Sequence, residues 1–392
     1  VRLRHRSGAT VHLAYCTNVH PAEDLDGVLG QLARFGEPVR ADVGSPVLGL
    51  GLWLAHDVAR ALDDDPAAVA RLRGELGRRG LEVVTLNGFP YRGFQAERVK
   101  LEVYRPDWAQ RERLEHTLRL ARVLAALLPD DAARGSISSL PFGWRAWWGP
   151  ERQRAADAHL RELAEGLRAV RRATGREVRV GLEPEPGCTV ETVEQGVRLV
   201  RDLAPDVLGL SLDACHLAVG FERPDDVVAQ VRAAGVPVVK LQASAALHAD
   251  DPSDPTVRAA LGAFSEERFV HQVREERPGA TGPLPGTDDL PEALDGALPG
   301  DRAWRVHFHV PVHAEPAGPL RSTAPELSAT LRAVVAGEDP LTDHVEVETY
   351  TWGVLPEGAH PGDDAGVVRG IAAEVAWVRD ELVAAGVDKE DA

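Results

Sequence analysis

Short apolar runs alternate along the chain with longer stretches in which apolar residues return every three or four positions, the periods of buried strands and of helices with one inward face. Strands are predicted near Val11–Thr17, Val47–Leu54, Glu82–Leu86, Ser136–Leu140, Val178–Glu183, Val207–Asp213 and Pro237–Ala243, with later ones near Trp304–Pro311 and His344–Tyr350. Helices are predicted between them at Asp65–Arg79, Trp108–Leu128, Glu151–Thr174, Thr189–Leu203 and Pro224–Ala234. Asp65 ahead of Pro66 and Thr189 read as N-terminal caps, and Gly80 and Gly175 as left-handed stops. Strand–helix units in unbroken succession give the α/β class and favour a closed parallel (β/α)8 barrel over an open sheet of two halves.

The succession is interrupted over residues 244–303, where Asp250–Pro255 reads Asp-Asp-Pro-Ser-Asp-Pro and Pro278–Gly286 is rich in Pro and Gly. A connection of that length is a functional lid or an inserted element more often than a linker. The expected organisation is one barrel domain over residues 1–385, with an insertion at about 244–303 and an acidic tail at 386–392. Nine candidate strands compete for eight places, so one late candidate lies outside the barrel.

Composition narrows the partners. The 392 residues carry 44 basic against 61 acidic side chains, a formal net charge of −17, which repels phosphate backbones and anionic lipid at long range. Nucleic acid is therefore excluded as a generic partner. Three scattered cysteines, Cys16, Cys188 and Cys215, form neither a disulfide framework nor a thiolate zinc site. No apolar run reaches the ~18 residues of a membrane span, and the opening Val-Arg-Leu-Arg-His-Arg is not followed by a signal-peptide core. The expected setting is the cytoplasm, without membrane insertion.

Chemistry concentrates where predicted strands end, which in a parallel barrel is the mouth. Glu183 and Glu185 share one side of a strand that ends Gly-Leu-Glu-Pro-Glu-Pro, and Asp213 closes another with His216 three residues on. His307 and His309 alternate by two, as do Glu346 and Glu348, and Lys240 and Gln242 share a strand face between these groups. Carboxylates and imidazoles without thiolates suit Mn²⁺, Mg²⁺, Co²⁺ or Zn²⁺ acting as a Lewis acid. Glu185 and Glu346 read equally well as helix caps or arginine partners, and His307 and His309 as ordinary partly buried histidines. His248 and His271 read as structural.

The runs Leu13–His20, Thr85–Tyr91, Gly181–Gly187, Ser211–His216, Val239–Ser244 and Val345–Trp352 carry a resemblance to the xylose-isomerase-like barrel superfamily of sugar isomerases, ketose epimerases and endonuclease IV. Across essentially the whole chain the sequence is also similar to the metabolite traffic protein EboE family. The resemblance implies a divalent metal on Glu183, Asp213 and Glu348, with His216 facing the substrate. It also implies proton-transfer roles for Glu183 and Glu348. Lys240 departs from the pattern, standing where many relatives have the metal-binding histidine. Either His309 supplies the missing ligand, or Lys240 neutralises the carboxylates in place of the metal.

Eleven of the 20 aromatic residues fall near predicted strand ends or in the loops that follow, among them Tyr91, Trp144 and Trp352. With Asn87 and Gln242 these three are the expected substrate-facing residues, in a mouth suited to a sugar, a prenyl chain or an aromatic metabolite; Trp147 and Trp148 read equally well as loop packing. Two function classes follow: a metal-assisted isomerase- or epimerase-like enzyme with Glu183, Glu348, His216 and Lys240 as catalytic candidates, or a metabolite-binding or trafficking protein with a degenerate metal site. A nuclease ranks third, since the charge opposes DNA and no cluster for three zinc ions is evident in the sequence.

Overall fold

The computed structural model describes residues 1–279 and 283–389. Eight parallel strands, β1 (Thr10–Cys16), β2 (Leu48–Trp53), β3 (Leu81–Asn87), β4 (Gly135–Ser139), β5 (Val178–Leu182), β6 (Leu208–Asp213), β7 (Val238–Ala243) and β8 (His344–Val347), pair in chain order. β8 then pairs with β1, His344 opposite His12, and closes the barrel. The short runs rich in Val and Leu are strands because both their faces are covered, one by the barrel interior and one by helices. The outer helices include His56–Asp64 and Pro66–Arg78 after β2, Arg111–Leu127 after β3, Pro150–Thr174 after β4 and Val193–Arg201 after β5. Pro224–Ala234 follows β6, Ala324–Val335 follows β7 and Asp364–Ala384 follows β8.

Local signals hold where they rest on backbone geometry. Asp65 caps its helix by accepting from the Ala67 amide, and Gly80 and Gly175 adopt φ of 66° and 72°. The cap expected at Thr189 lies instead at Thr192, whose side chain and Gln195 form a reciprocal capping box. The helix expected from Trp108 starts at Arg111; Trp108 is buried, and its indole donates to the Leu140 carbonyl at 3.0 Å.

The strand expected at Trp304–Pro311 forms only over Trp304–Val306 and does not belong to the barrel. Between β7 and the helix Ala324–Val335 the chain builds a second, antiparallel sheet. Its strands lie in the order Gly286–Thr287, Val273–Glu275, Trp304–Val306, Leu247–Ala249, Arg321–Ser322. The run to Pro311 reads as one strand because apolar and polar positions alternate throughout, yet pairing stops at Val306 and leaves His307–His309 in a buried loop. Of the acidic tail expected at 386–392, residues 390–392 lie outside the described residues. Asp388–Lys389 pair with Arg2–Arg4 beside β1.

The barrel interior is polar in layers, where branched apolar side chains are the norm. Near the strand starts, Ser136 Oγ donates to Thr85 Oγ1 at 2.9 Å and lies 2.7 Å from His344 Nδ1. One layer up, the Lys240 ammonium pairs with Glu346 and lies 3.5 Å from Ser138 Oγ. Gly51 makes room for that pair, since a Cβ there would stand 1.8 Å from a Glu346 carboxylate oxygen. The third layer, at the strand ends, is the candidate site.

The last helix anchors the loop after β8 through one buried carboxylate. Glu374 accepts from Thr349 Oγ1 at 2.6 Å, from the Val312 amide at 3.1 Å and from the Trp352 indole at 3.1 Å. Burial raises its pKa to about 7 even though these donors favour ionisation. A carboxyl group raised in the native state stabilises the fold fully below about pH 4.5 and loses that contribution as pH rises through about 7, roughly 3 kcal/mol. Glu374→Gln is expected to start less stable, because its amide nitrogen cannot accept from these donors, and to lack that decline. Urea unfolding from pH 4.5 to 8 measures the two slopes; parallel slopes would remove the assignment.

Candidate active site

Three carboxylates converge at the mouth because three strands end there in register. Glu183 follows β5, Asp213 ends β6 and Glu348 follows β8, and one oxygen from each lies within 4.8 Å of the others. Each is held by neutral donors. Glu183 Oε2 accepts from Ser211 Oγ at 3.2 Å and Gln242 Nε2 at 3.4 Å, and Glu348 Oε1 accepts from Asn18 at 2.8 Å and Asn87 at 2.7 Å. Asp213 Oδ1 accepts from Ser244 Oγ at 2.8 Å and from the His216 amide at 3.0 Å, so it also caps the short helix Ala214–Val219. Both donors fall on Oδ1, which leaves Oδ2 without a described donor.

Electrostatics set the three apart. Burial, and then Glu348, Asp213 and Glu185, push Glu183 well above the usual carboxylate range; burial, Asp213 and Glu346 do the same to Glu348. Burial also works against ionisation of Asp213, but His216, His309 and its two hydrogen-bond donors outweigh it and hold that group low. Glu185, accepting from Tyr104 at 2.6 Å, is raised by burial to about 7. Asp213 Oδ2 and Glu185 Oε2 are buried, and no described donor bonds to either.

Three imidazoles stand beside these carboxylates. His216 Nε2 lies 3.1 Å from His307 Nε2, which lies 3.3 Å from His309 Nε2. His309 Nε2 is 3.9 Å from Asp213 Oδ2. His307 and His309 reach the site from the loop of the second sheet rather than from a barrel strand. Burial lowers the pKa of His309 to about 4 and that of His307 well below the usual histidine range. His271 is buried beneath His307, bonded to its carbonyl and to Glu266, and His248 bonds to Asp250.

Lys240 is placed one layer below this constellation. Gln242 stands level with Asp213 on one side and Glu346 on the other, and Lys240 precedes it by two residues, about 6.6 Å along a strand. Its ammonium is committed to Glu346; burial opposes its charge, but the Glu346 carboxylate outweighs burial and raises its pKa. Lys240 is thus the partner of Glu346, and Glu183, Asp213 and Glu348 are left without a lysine or arginine among their bonded partners.

A narrow cavity of about 60 Å³ opens onto Glu183, Glu185, His216, His307, His309 and Glu348, walled by Phe89, Phe94, Tyr104, Phe269 and Tyr350. Of the five expected substrate-facing residues only Asn87 lines it; Gln242 touches it through Glu183. Tyr91 stacks on His56 at 4.8 Å, Trp144 lies against Tyr104 at 4.7 Å, and Trp352, bonded to Glu374, lines a separate surface cleft. Sequence reasoning missed Tyr104, Asn18 and Gln272, which come from irregular segments with no strand or helix period. No helix among the described residues is long and apolar enough to cross a membrane.

No curated protein matches the sequence. Among solved structures, the IolI protein described with a bound zinc atom is 14% identical over 95% of this chain and 98% of its own, with a TM-score of 0.50. L-ribulose 3-epimerase is 13% identical over 96% of this chain and 95% of its own, at 0.48. D-psicose 3-epimerase from Clostridium cellulolyticum H10 is 13% identical over 95% and 99%, at 0.49. At 14% identity the likeness to the IolI protein speaks for the fold alone. The sequence itself goes further: residues 41–279 match a profile built for closed barrels of this kind, and they include β2 to β7 with Glu183 and Asp213. The chain belongs to the xylose isomerase-like TIM barrel family.

Proposed function

We propose that the chain is a divalent-metal-assisted enzyme of the isomerase or epimerase kind, acting on a small sugar, polyol or related hydroxylated metabolite. The observation that carries this reading is the convergence of Glu183, Asp213 and Glu348 on one buried point, with amides and hydroxyls as their hydrogen-bond donors and imidazoles within 4.0 Å. Like charges so placed need a cation or a proton between them. Asp213 Oδ2, buried and without a donor, fits a cation. The ligands we assign are Glu183, Asp213, His309 and Glu348, with Mn²⁺, Mg²⁺, Co²⁺ or Zn²⁺ as candidates for an oxygen-and-nitrogen donor set. Such an ion, when bound, supplies Lewis-acid polarisation of a carbonyl or hydroxyl.

The protein's own part is proton handling and orientation. Glu183 and Glu348 follow strands β5 and β8, both line the cavity, and burial and the neighbouring carboxylates raise the pKa of both. A pair of this kind can take a proton from one face of a carbon and return one to the other. Asn18 and Asn87 fix Glu348, Ser211 and Gln242 fix Glu183, and the aromatic wall suits the apolar face of a small hydroxylated ring. We further propose, from the resemblance of the sequence runs to the EboE family alone, that such chemistry serves the processing or trafficking of secondary-metabolite precursors.

Incubation of the protein with a panel of ketoses, aldoses and polyols in D₂O tests the reading by NMR. A substrate is expected to exchange a carbon-bound hydrogen for deuterium, to stop after treatment with chelator and to resume on return of a divalent ion. Ligand binding without exchange would favour the non-catalytic trafficking class; exchange indifferent to chelator would remove the metal.

A further inference from the structure

The surface cleft that Trp352 lines is larger than the cavity at the mouth. It measures about 570 Å³, within the range of small-molecule sites. The loop after β1, the helix Leu25–Gln31 with the turn that follows it, and the start of the last helix enclose it. Val19, Phe35, Trp352 and Val367 give it apolar walls, and Gly30 keeps one side open, since a Cβ there would meet no atom within 4 Å.

One guanidinium sets its charge. Arg34, Asp364 and Arg268 are the acidic and basic residues of the lining, and Arg34 pairs with Asp364. His20, stacked on Phe35 at 4.0 Å, is uncharged, because burial and Arg34 lower its pKa to about 3. Arg268 forms no ion pair among the described residues, in a chain whose net charge is −17. Its Nη1 donates to Gln95 Oε1 at 3.2 Å, while its Nε is buried with no described acceptor. A guanidinium presents Nε–H and Nη2–H as one parallel edge, the fork that matches the two oxygens of a carboxylate. No described acceptor occupies that edge, and a buried N–H left so is costly until an acceptor arrives.

We infer that the cleft binds a small aromatic carboxylate, with its two oxygens on the Nε–Nη2 edge of Arg268 and its ring against the walls of Phe35 and Trp352. The inference does not rest on the proposed metal chemistry, because no residue assigned to the ion lines the cleft. Gln95 nevertheless ties the two places together. Its Nε2 donates to the Asn18 carbonyl at 2.7 Å and to the Tyr350 carbonyl at 3.4 Å, and the Asn18 side chain in turn holds Glu348. The same chemistry serves the far end of a substrate or a separate effector.

Isothermal titration of the full chain with 4-hydroxybenzoate and indole-3-acetate, and with the corresponding uncharged amides, tests it, with and without chelator. The acids are expected to bind at least about tenfold more tightly than their amides. Arg268→Gln is expected to remove that difference, and Gly30→Phe to shut out both forms by filling the open side. Gly30→Phe leaves Arg268 in place and removes a glycine from a helix, so it reads the cleft even should Arg268→Gln fail to fold. Equal binding of acid and amide, affinities unchanged in both variants, or no binding of either acid overturns the inference. Binding that persists with chelator while no isotope exchange is found supports the cleft and removes the proposed reaction. Where exchange is found, an acid that raises KM alone marks the far end of the substrate site, and one that leaves KM unchanged marks an effector site; both support the inference.

Discussion

On the proposed function, Asp213→Asn is expected to abolish binding of the divalent ion and to lower turnover about 10³-fold. Loss of a charged ligand and of the Lewis-acid assistance it secures is worth several kcal/mol, and about 4 kcal/mol corresponds to that factor. The substitution is chosen because it isolates the charge. Asn caps helices as well as Asp does, so the Ala214–Val219 helix and the bond to the His216 amide survive. A variant that keeps its circular dichroism and melting temperature but loses bound metal gives the expected result; full metal content in Asp213→Asn would show that Asp213 is only a cap.

The second large effect concerns stability rather than chemistry. Lys240→Met leaves Glu346 charged, fully buried and without its partner, and is expected to cost about 3–5 kcal/mol in urea unfolding. The double variant Lys240→Met/Glu346→Leu is expected to recover most of this, since replacing both members of a buried pair by apolar groups of similar volume is often neutral. Metal content in the single variant is expected to stay the same. A gain of metal on removing Lys240 would mean instead that the ammonium had been standing in for the ion.

Lys240 also shows how far the sequence could be read. Its opposition to a carboxylate was legible from residue type alone, but which carboxylate depends on register. A strand rises about 3.3 Å per residue, so Lys240 starts about 6.6 Å below Gln242, and which carboxylate its long side chain reaches is decided by the three-dimensional packing of β7 against β8 rather than by residue type. Seven of the eight barrel strands were legible to within a residue or two, because at least one covered face of each writes apolar positions at period two, while the eighth stops at Val347, three residues short of the expected Tyr350. Glu183, Asp213 and Glu348 were legible because each lies at the end of one of these strands.

The imidazoles were not legible in the same way. His307 and His309 alternate as if on a strand, yet the loop after Val306 delivers them, and no local pattern states that their Nε2 atoms meet that of His216. Tyr104 and Gln272 bond to each other across 168 positions of sequence, from a 3₁₀ turn and a loop. Contacts between irregular segments leave no period to read.

The second sheet gives the molecule a division of labour. Every carboxylate at the mouth comes from the barrel, while two of the three imidazoles come from the segment between β7 and its following helix. The oxygen donors and two of the three imidazole nitrogens are thus encoded in separate stretches of chain, while His216 shares its stretch with Asp213. A change in the inserted segment can retune the balance of donors without disturbing the closed ring of strands, and a change in the ring can retune charge without touching the insert. On the proposed function, the preference for one ion over another would then depend in part on residues outside the ring of strands.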